Sequence, residues 1–180
     1  MSWLQVAWTD AEQVLALCAV EAEPGAGLGI APKTYFDALV ARDAHDDAVA
    51  FLGAALPRLA AVQWSLATLE QAPASGRTTY GGDLLGAVRA WLKDPGDPSR
   101  RRAWELVRST EESSPERLLA SAIFYSGGSI APEDCEPVQP EPHLCGRLSA
   151  TAILACAHAS DDAESIMRFA VAEGDRIASS

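Results

Sequence analysis

Apolar residues recur along most of the chain at spacings of three and four, the period of one buried face of a helix. Thr9-Asp10-Ala11-Glu12 has the spacing of a capping box, and Ala11, Val14, Leu15, Cys18 and Ala22 follow it as a stripe, which predicts a first helix. Pro24 to Pro32, with Gly25, Gly27 and Gly29, reads as a linker whose last proline suits the first turn of a second helix carrying Tyr35, Phe36, Leu39 and Val40. A break at Asp43-Ala44-His45 starts a third helix with Val49, Leu52, Ala55 and Leu56. Pro57 then opens a fourth with Leu59, Val62, Leu66 and Leu69.

The second half repeats this pattern. Leu84, Leu85, Val88, Trp91 and Leu92 mark a fifth helix that Asp94-Pro95-Gly96 ends, and Pro98 begins a sixth with Ala103, Trp104 and Val107. Ser114-Pro115-Glu116 reads as a cap and first turn for a seventh helix striped by Leu118, Leu119, Ala122 and Ile123. Leu144 to Ala159 is apolar almost all round, which predicts a central, buried eighth helix. Ala163, Ile166, Met167, Ala170, Val171, Gly174 and Ile177 stripe a ninth. No segment alternates with the period of a strand, so the expected class is all-α, with about nine mostly antiparallel helices. Two architectures fit: a compact bundle, and a stack of helical hairpins, of which Leu84 to Val107 would place Trp91 and Trp104 on facing helices. No fixed-period repeat signature supports the stack.

Length and composition fit one domain over residues 1–180, with an N-terminal helix and Gly/Pro linker at 1–29 and a core at 30–180. Against 14 Lys and Arg stand 25 Asp and Glu, a formal net charge of -11 and a pI near 4.6. Such a field repels phosphate backbones and anionic lipid, so neither nucleic acid nor a membrane surface is an expected partner. Arg100-Arg101-Arg102 is the one basic run; with Asp97, Glu105, Glu111 and Glu112 nearby it reads as a solvated helix face. Met1-Ser2-Trp3 lacks the basic start of a secretory signal, and the apolar run at Ala150 to Ala159 is too short for a bilayer. A cytoplasmic location is expected, with Cys18, Cys135, Cys145 and Cys156 reduced and mostly buried.

Candidate chemistry is sparse. His143 and Cys145 lie two apart with Cys135 upstream, but structural zinc needs four ligands in closely spaced pairs, and helix positions two apart point away from each other. His158 reads as a satisfied core histidine. Gly25-Ala26-Gly27-Leu28-Gly29 follows a helix rather than a strand, unlike a dinucleotide loop, and Thr79-Tyr80-Gly81-Gly82-Asp83 reads as a plain helix entry. Asp43, Asp46 and Asp47, and Asp161, Asp162 and Glu164, cluster at helix starts, where the helix dipole favours carboxylates without a catalytic role. No catalytic residue, metal ligand or cofactor is expected from these patterns.

Three stretches resemble an uncharacterised bacterial helical family: "FLGAALPR" followed by "AAVQWSLATL", then "AIFYSGGSIAP", then "PVQPEPHLCGRLSATAILACA". The resemblance covers about Tyr35 to Ala178 and comprises an LPR-x-x-A-x-x-W segment, an aromatic-Ser-Gly-Gly-Ser turn and a proline-rich Pro-His-Leu segment. Tyr125 stands at the aromatic position, where Trp is common, and Cys145 where a small or polar residue is usual. The resemblance implies an accessory protein encoded among type VI secretion effector genes, hence an adaptor or chaperone whose partner is a secreted effector or spike component.

The prolines of the 126–143 connection limit its unfolded freedom, so it costs less to hold in one shape. Two expectations follow: a docking loop contacting a partner protein through Tyr125, Ser126, Gly127, Gly128, Ser129, Pro132, Pro137, Pro140, Pro142 and His143, or a crossover that packs on the bundle. The alternatives to an adaptor are an immunity protein whose acidic surface neutralises a basic toxin, and a small hydrolase or metal-dependent enzyme using His143 with Asp134, Glu136 or Glu141.

Overall fold

Capping side chains and prolines set the helix boundaries, and the apolar stripes decide which faces meet. The computed structural model describes residues 3–18, 25–72, 81–111, 113–132 and 134–180; Met1, Ser2, Ala22, Pro24, Thr79, Tyr80 and Glu112, named above, lie outside them. Among the described residues there are nine helices and no strand: α1 (Ala11–Leu15), α2 (Pro32–Ala41), α3 (His45–Ala55), α4 (Arg58–Gln71), α5 (Gly81–Lys93), α6 (Asp97–Ser109), α7 (Pro115–Phe124), α8 (Leu144–His158) and α9 (Ala163–Ser179). None of them is long and apolar enough to cross a membrane.

The caps correct the expected start of α1 by one residue. Asp10, not Thr9, is the N-cap, accepting from the Glu12 amide, while the Gln13 side chain reaches back to the Asp10 amide. Asp10 also ties the glycine linker down, its Oδ2 accepting from the Gly29 amide at 2.7 Å. At α7, Ser114 accepts from the Arg117 amide and Pro115 takes the first helical position, as the pattern predicts.

The helix α8, built largely of small and apolar residues, is the hub, packing against α3, α4, α7 and α9. Helices α1 and α2 lie against α3 at one end, and α5 and α6 lie against α7 at the other. A stack of hairpins would confine contacts to neighbouring repeats; α8 instead touches helices from both halves of the chain, so the molecule is a compact bundle. The contact of α3 with α8 is backbone-close, because Gly53 and Gly146 face each other there. Trp64 on α4 is fully buried and donates from Nε1 to the Ala170 carbonyl of α9 at 2.7 Å. Ser65 donates to the Ser149 carbonyl of α8 at 2.9 Å. Trp3 is buried against Phe36, with ring centroids 5.1 Å apart, and donates to Asp175, so the N-terminal segment shares the core.

Three further expectations need correction. Leu59 points outward, 46% exposed, because the buried face of α4 runs through Ala60, Ala61 and Trp64 instead. Trp91 and Trp104 do lie on the facing helices α5 and α6, and Trp104 stacks on Phe124 of α7 at 4.3 Å. His158 sits on the last turn of α8, where the helix leaves the core, and is exposed beside Asp46 at 3.1 Å. Of the cysteines, Cys145 is buried, but Cys18 and Cys156 are only partly so and Cys135 is exposed.

Candidate functional site

The connection from α7 to α8 begins where Phe124 and Tyr125 end the helix. Tyr125 is half-buried, its ring edge-on to Phe124 at 5.3 Å and to Trp104 at 6.0 Å. Beyond it the backbone turns through Gly127 and Gly128, both at positive φ. Glycine is required at Gly128 for a second reason: a Cβ there would stand 3.2 Å from the Arg100 guanidinium and from Asp97 Oδ1.

Arginines hold this turn. Arg100 of α6 is only 3% exposed, donating from Nη1 to the Phe124 carbonyl and from Nη2 to the Ser129 carbonyl, both at 2.8 Å, with its guanidinium 5.0 Å from the centre of the Phe124 ring. Asp97 pairs with Arg100 and, through Oδ2 at 2.7 Å, with Arg101. Arg101 reaches the Ser129 and Ala131 carbonyls at 3.5 Å. The basic run is therefore not a uniformly solvated face: Arg100 turns inward because the carbonyls of a helix end and a turn need donors there. Only Arg102 of the three is fully at the surface.

Arg58 of α4 closes the other side, with Nη1 donating to the Ser126 carbonyl at 2.8 Å and Nε toward the Pro142 carbonyl at 3.5 Å. The "LPR", "YSGGS" and "PHL" stretches, distant in sequence, thus converge on one guanidinium. Ser129 fastens the interior of the loop, its Oγ accepting from the amides of Ala131 and Val138 at 3.1 Å, while the Ile130 amide donates to the Val138 carbonyl at 2.8 Å. Pro140 is buried; Pro132, Pro137 and Pro142 are exposed, and His143 is half-buried at the N-cap of α8 without a side-chain capping bond.

Between these anchors, Asp134, Cys135, Glu136, Pro137, Val138 and Gln139 stand in solvent, Val138 being 52% exposed. Asp134, Glu136, Glu141 and His143 do not form a set that could hold a metal ion; no group of three or more His, Cys, Asp or Glu side chains does so among the described residues. Glu116 on α7 is a buried carboxylate that the amphipathic pattern gave no means of finding. It is 4% exposed, its Oε2 has no hydrogen-bond partner among the described residues, and it lies against Gly81 at the N-terminus of α5, where the helix dipole favours negative charge.

Burial pushes the Cys145 thiol up to about 12 and the Cys18 thiol up to about 11, so both stay protonated and weakly nucleophilic near neutral pH. A colorimetric thiol titration of the native protein should accordingly modify Cys135 first, with Cys145 reacting only on unfolding. Prompt labelling of Cys145 in the folded state would contradict its burial.

Hydrogen bonds from Arg100 and then Arg101 hold the Asp97 carboxyl below its ordinary value of 3.8. A carboxyl with a depressed folded value stabilises fully above its unfolded value and loses that contribution as pH falls through the folded one. Protection of the Ile130 amide from hydrogen exchange is therefore expected to decline as pH drops below about 4, and Asp97→Asn should flatten that decline. An unchanged profile in Asp97→Asn would remove Asp97 from the clamp.

A family model, DUF6931, described as a family of unknown function, matches residues 35–178, which include α3 to α8 whole and the entire arginine-held crossover. No match was found among curated proteins or among solved structures.

Proposed function

We propose that this chain, which belongs to the DUF6931 family of unknown function, is a non-catalytic protein-interaction module whose crossover loop docks a partner protein. The observation that carries the reading is the division of that loop into a fixed base and an exposed tip. Arg58, Arg100, Arg101 and Ser129 hold residues 126–131 and the returning chain at Val138, while Asp134 to Gln139 project carboxylates and the apolar side chains of Pro137 and Val138 into solvent. A segment ordered before binding loses less conformational entropy on association, so a small tip can contribute usefully to affinity.

The resemblance implies an accessory protein encoded among type VI secretion effector genes, which makes a secreted effector or spike component the first partner to seek, with this chain as its adaptor or chaperone in the cytoplasm. Affinity capture of the tagged chain from its native cells tests this, beside a variant with Asp134→Ala, Glu136→Ala and Val138→Ser. That variant leaves the arginine anchors in place, so its fold should survive. One such protein recovered in stoichiometric amount with the parent and lost with the variant is the expected result. Equal recovery with both would sink the loop as the contact, and no recovery with either would sink the module.

The net charge of -11 supports a second reading, an immunity protein that neutralises a basic toxin. It is distinguished by protection: cells expressing the neighbouring toxin gene would survive only with this chain present.

A further inference from the structure

Residues 3–9 adopt neither helix nor strand, and Leu4, Gln5, Ala7, Trp8 and Thr9 are exposed. Trp3 is the buried side chain of this segment, its ring 5.1 Å from that of Phe36 on α2 and 6.5 Å from that of Phe51 on α3. Its Nε1 donates to Asp175 Oδ1 of α9 at 2.7 Å, and the amides of Leu4 and Gln5 donate to the Ala178 carbonyl at 2.8 and 3.0 Å. Carbonyls in the last turn of a helix lack intrahelical donors, so the end of α9 offers an acceptor to an extended chain. One aromatic anchor with its polar tip satisfied, followed by backbone donors to a helix end, is the way a bound peptide is held.

The groups that receive Trp3 are separate from the segment that brings it. Phe36, Phe51, Asp175 and Ala178 fall within the family-matched residues 35–178, and Trp3 does not. At the rim, Asp37 and Asp175 share the ammonium of Lys33, which bonds to Asp37 and lies 3.4 Å from Asp175. Two carboxylates against one ammonium leave a negative charge that favours a cation beside the indole, where this chain has the exposed, uncharged Leu4. We infer that the α2–α3–α9 pocket is a docking site for an extended segment of the partner protein bearing a tryptophan next to a lysine or arginine, and that Trp3 fills it intramolecularly until that segment displaces it. The inference rests on the reading of the chain as an interaction module. A tethered occupant competes at an effective concentration on the order of millimolar, so the incoming segment needs a contact that residues 3–5 lack, and an ion pair at the rim supplies it. A second copy of this chain brings only the same contacts and has no such advantage.

The probe is an acetylated peptide of residues 3–8 carrying Leu4→Lys, with the unmodified peptide and a Trp3→Ala peptide as controls. Titrated into the isotopically labelled full chain carrying Trp3→Ala, the lysine peptide should shift the amide resonances of Phe36, Phe51 and Ala178. The parent chain, with its own Trp3 in place, should bind it at least about tenfold more weakly. The unmodified peptide should bind more weakly than the lysine peptide, and the Trp3→Ala peptide not at all. Shifts that map elsewhere, equal binding of either control, or no binding would each overturn the site, as would a dimer of the parent that Trp3→Ala abolishes, which would make a second copy the occupant. Should the Trp3→Ala chain fail to fold, hydrogen exchange in the parent decides. The Trp3 indole N–H should exchange at least about a hundredfold faster than that of Trp64, which is also hydrogen-bonded but is fully buried on α4. Equal rates would make Trp3 an ordinary core residue and overturn the site. Failure here is separable from failure of the module: partner capture by the parent without peptide binding leaves the module standing without this pocket, and peptide binding without capture removes the loop reading while the pocket stands.

Discussion

Gly146→Ala is expected to destabilise the bundle by at least about 3 kcal/mol, the upper range for overpacking, because the added carbon collides with backbone rather than with a side chain that can rotate away. A Cβ at Gly146 would stand 1.9 Å from the Gly53 carbonyl oxygen and 3.0 Å from its carbon. The reverse change is nearly as hostile, since a Cβ at Gly53 would come within 2.7 Å of the Gly146 carbonyl oxygen. Helices α3 and α8 would have to separate, and α8 also carries the contacts to α4, α7 and α9. Urea unfolding measures the cost as a shift in midpoint at constant slope. Gly86→Ala is the internal control: exposed and unobstructed, it should instead stabilise by about 1 kcal/mol through helix propensity. A Gly146→Ala midpoint indistinguishable from the parent would mean that the two helices are not held at backbone contact.

Arg100→Met ranks second, with an expected loss of about 3 kcal/mol. Methionine keeps much of the apolar stem but removes the donors to the Phe124 and Ser129 carbonyls. A buried acceptor left without a donor costs about 1–3 kcal/mol, and bonds to a charged donor lie toward the stronger end. The loss should also be local: exchange at Ile130 should quicken in Arg100→Met more than exchange in the core of α8. Arg100→Lys should recover only part, since one ammonium on a flexible stem cannot reproduce a planar fork that serves two carbonyls and Asp97. Uniform loosening across the molecule would mark Arg100 as a packing residue and not as the clamp of the turn.

Helix starts were legible in the sequence because caps and prolines act locally: Pro32, Pro98 and Ser114-Pro115 each stand where the chain enters a helix. The stripes of α5 and α9 were equally plain, since a helix with one wet face repeats its pattern. Where burial depends on partners remote in sequence, the pattern misled. Arg100 looks like its neighbours Arg101 and Arg102 until the carbonyls of Phe124 and Ser129 arrive beside it from α7 and the turn after it. His158 belongs to an apolar run but falls past the point where α8 leaves the core, and periodicity does not say where a helix emerges. The "YSGGS" turn could be singled out from its composition. That Arg58, from the "LPR" segment, holds it could not, because nothing in either stretch names the other.

The crossover also makes the bundle a frame for foreign sequence. Its turn is tied to α4 and α6, Val138 is bonded back to Ser129 and Ile130, and Pro140 is buried, so the two points between which the tip hangs are set by the helices and not by the tip's own residues. A short guest peptide grafted between Glu136 and Pro137 would be displayed from a constrained base, and its length could be varied while the spacing of its ends stayed the same.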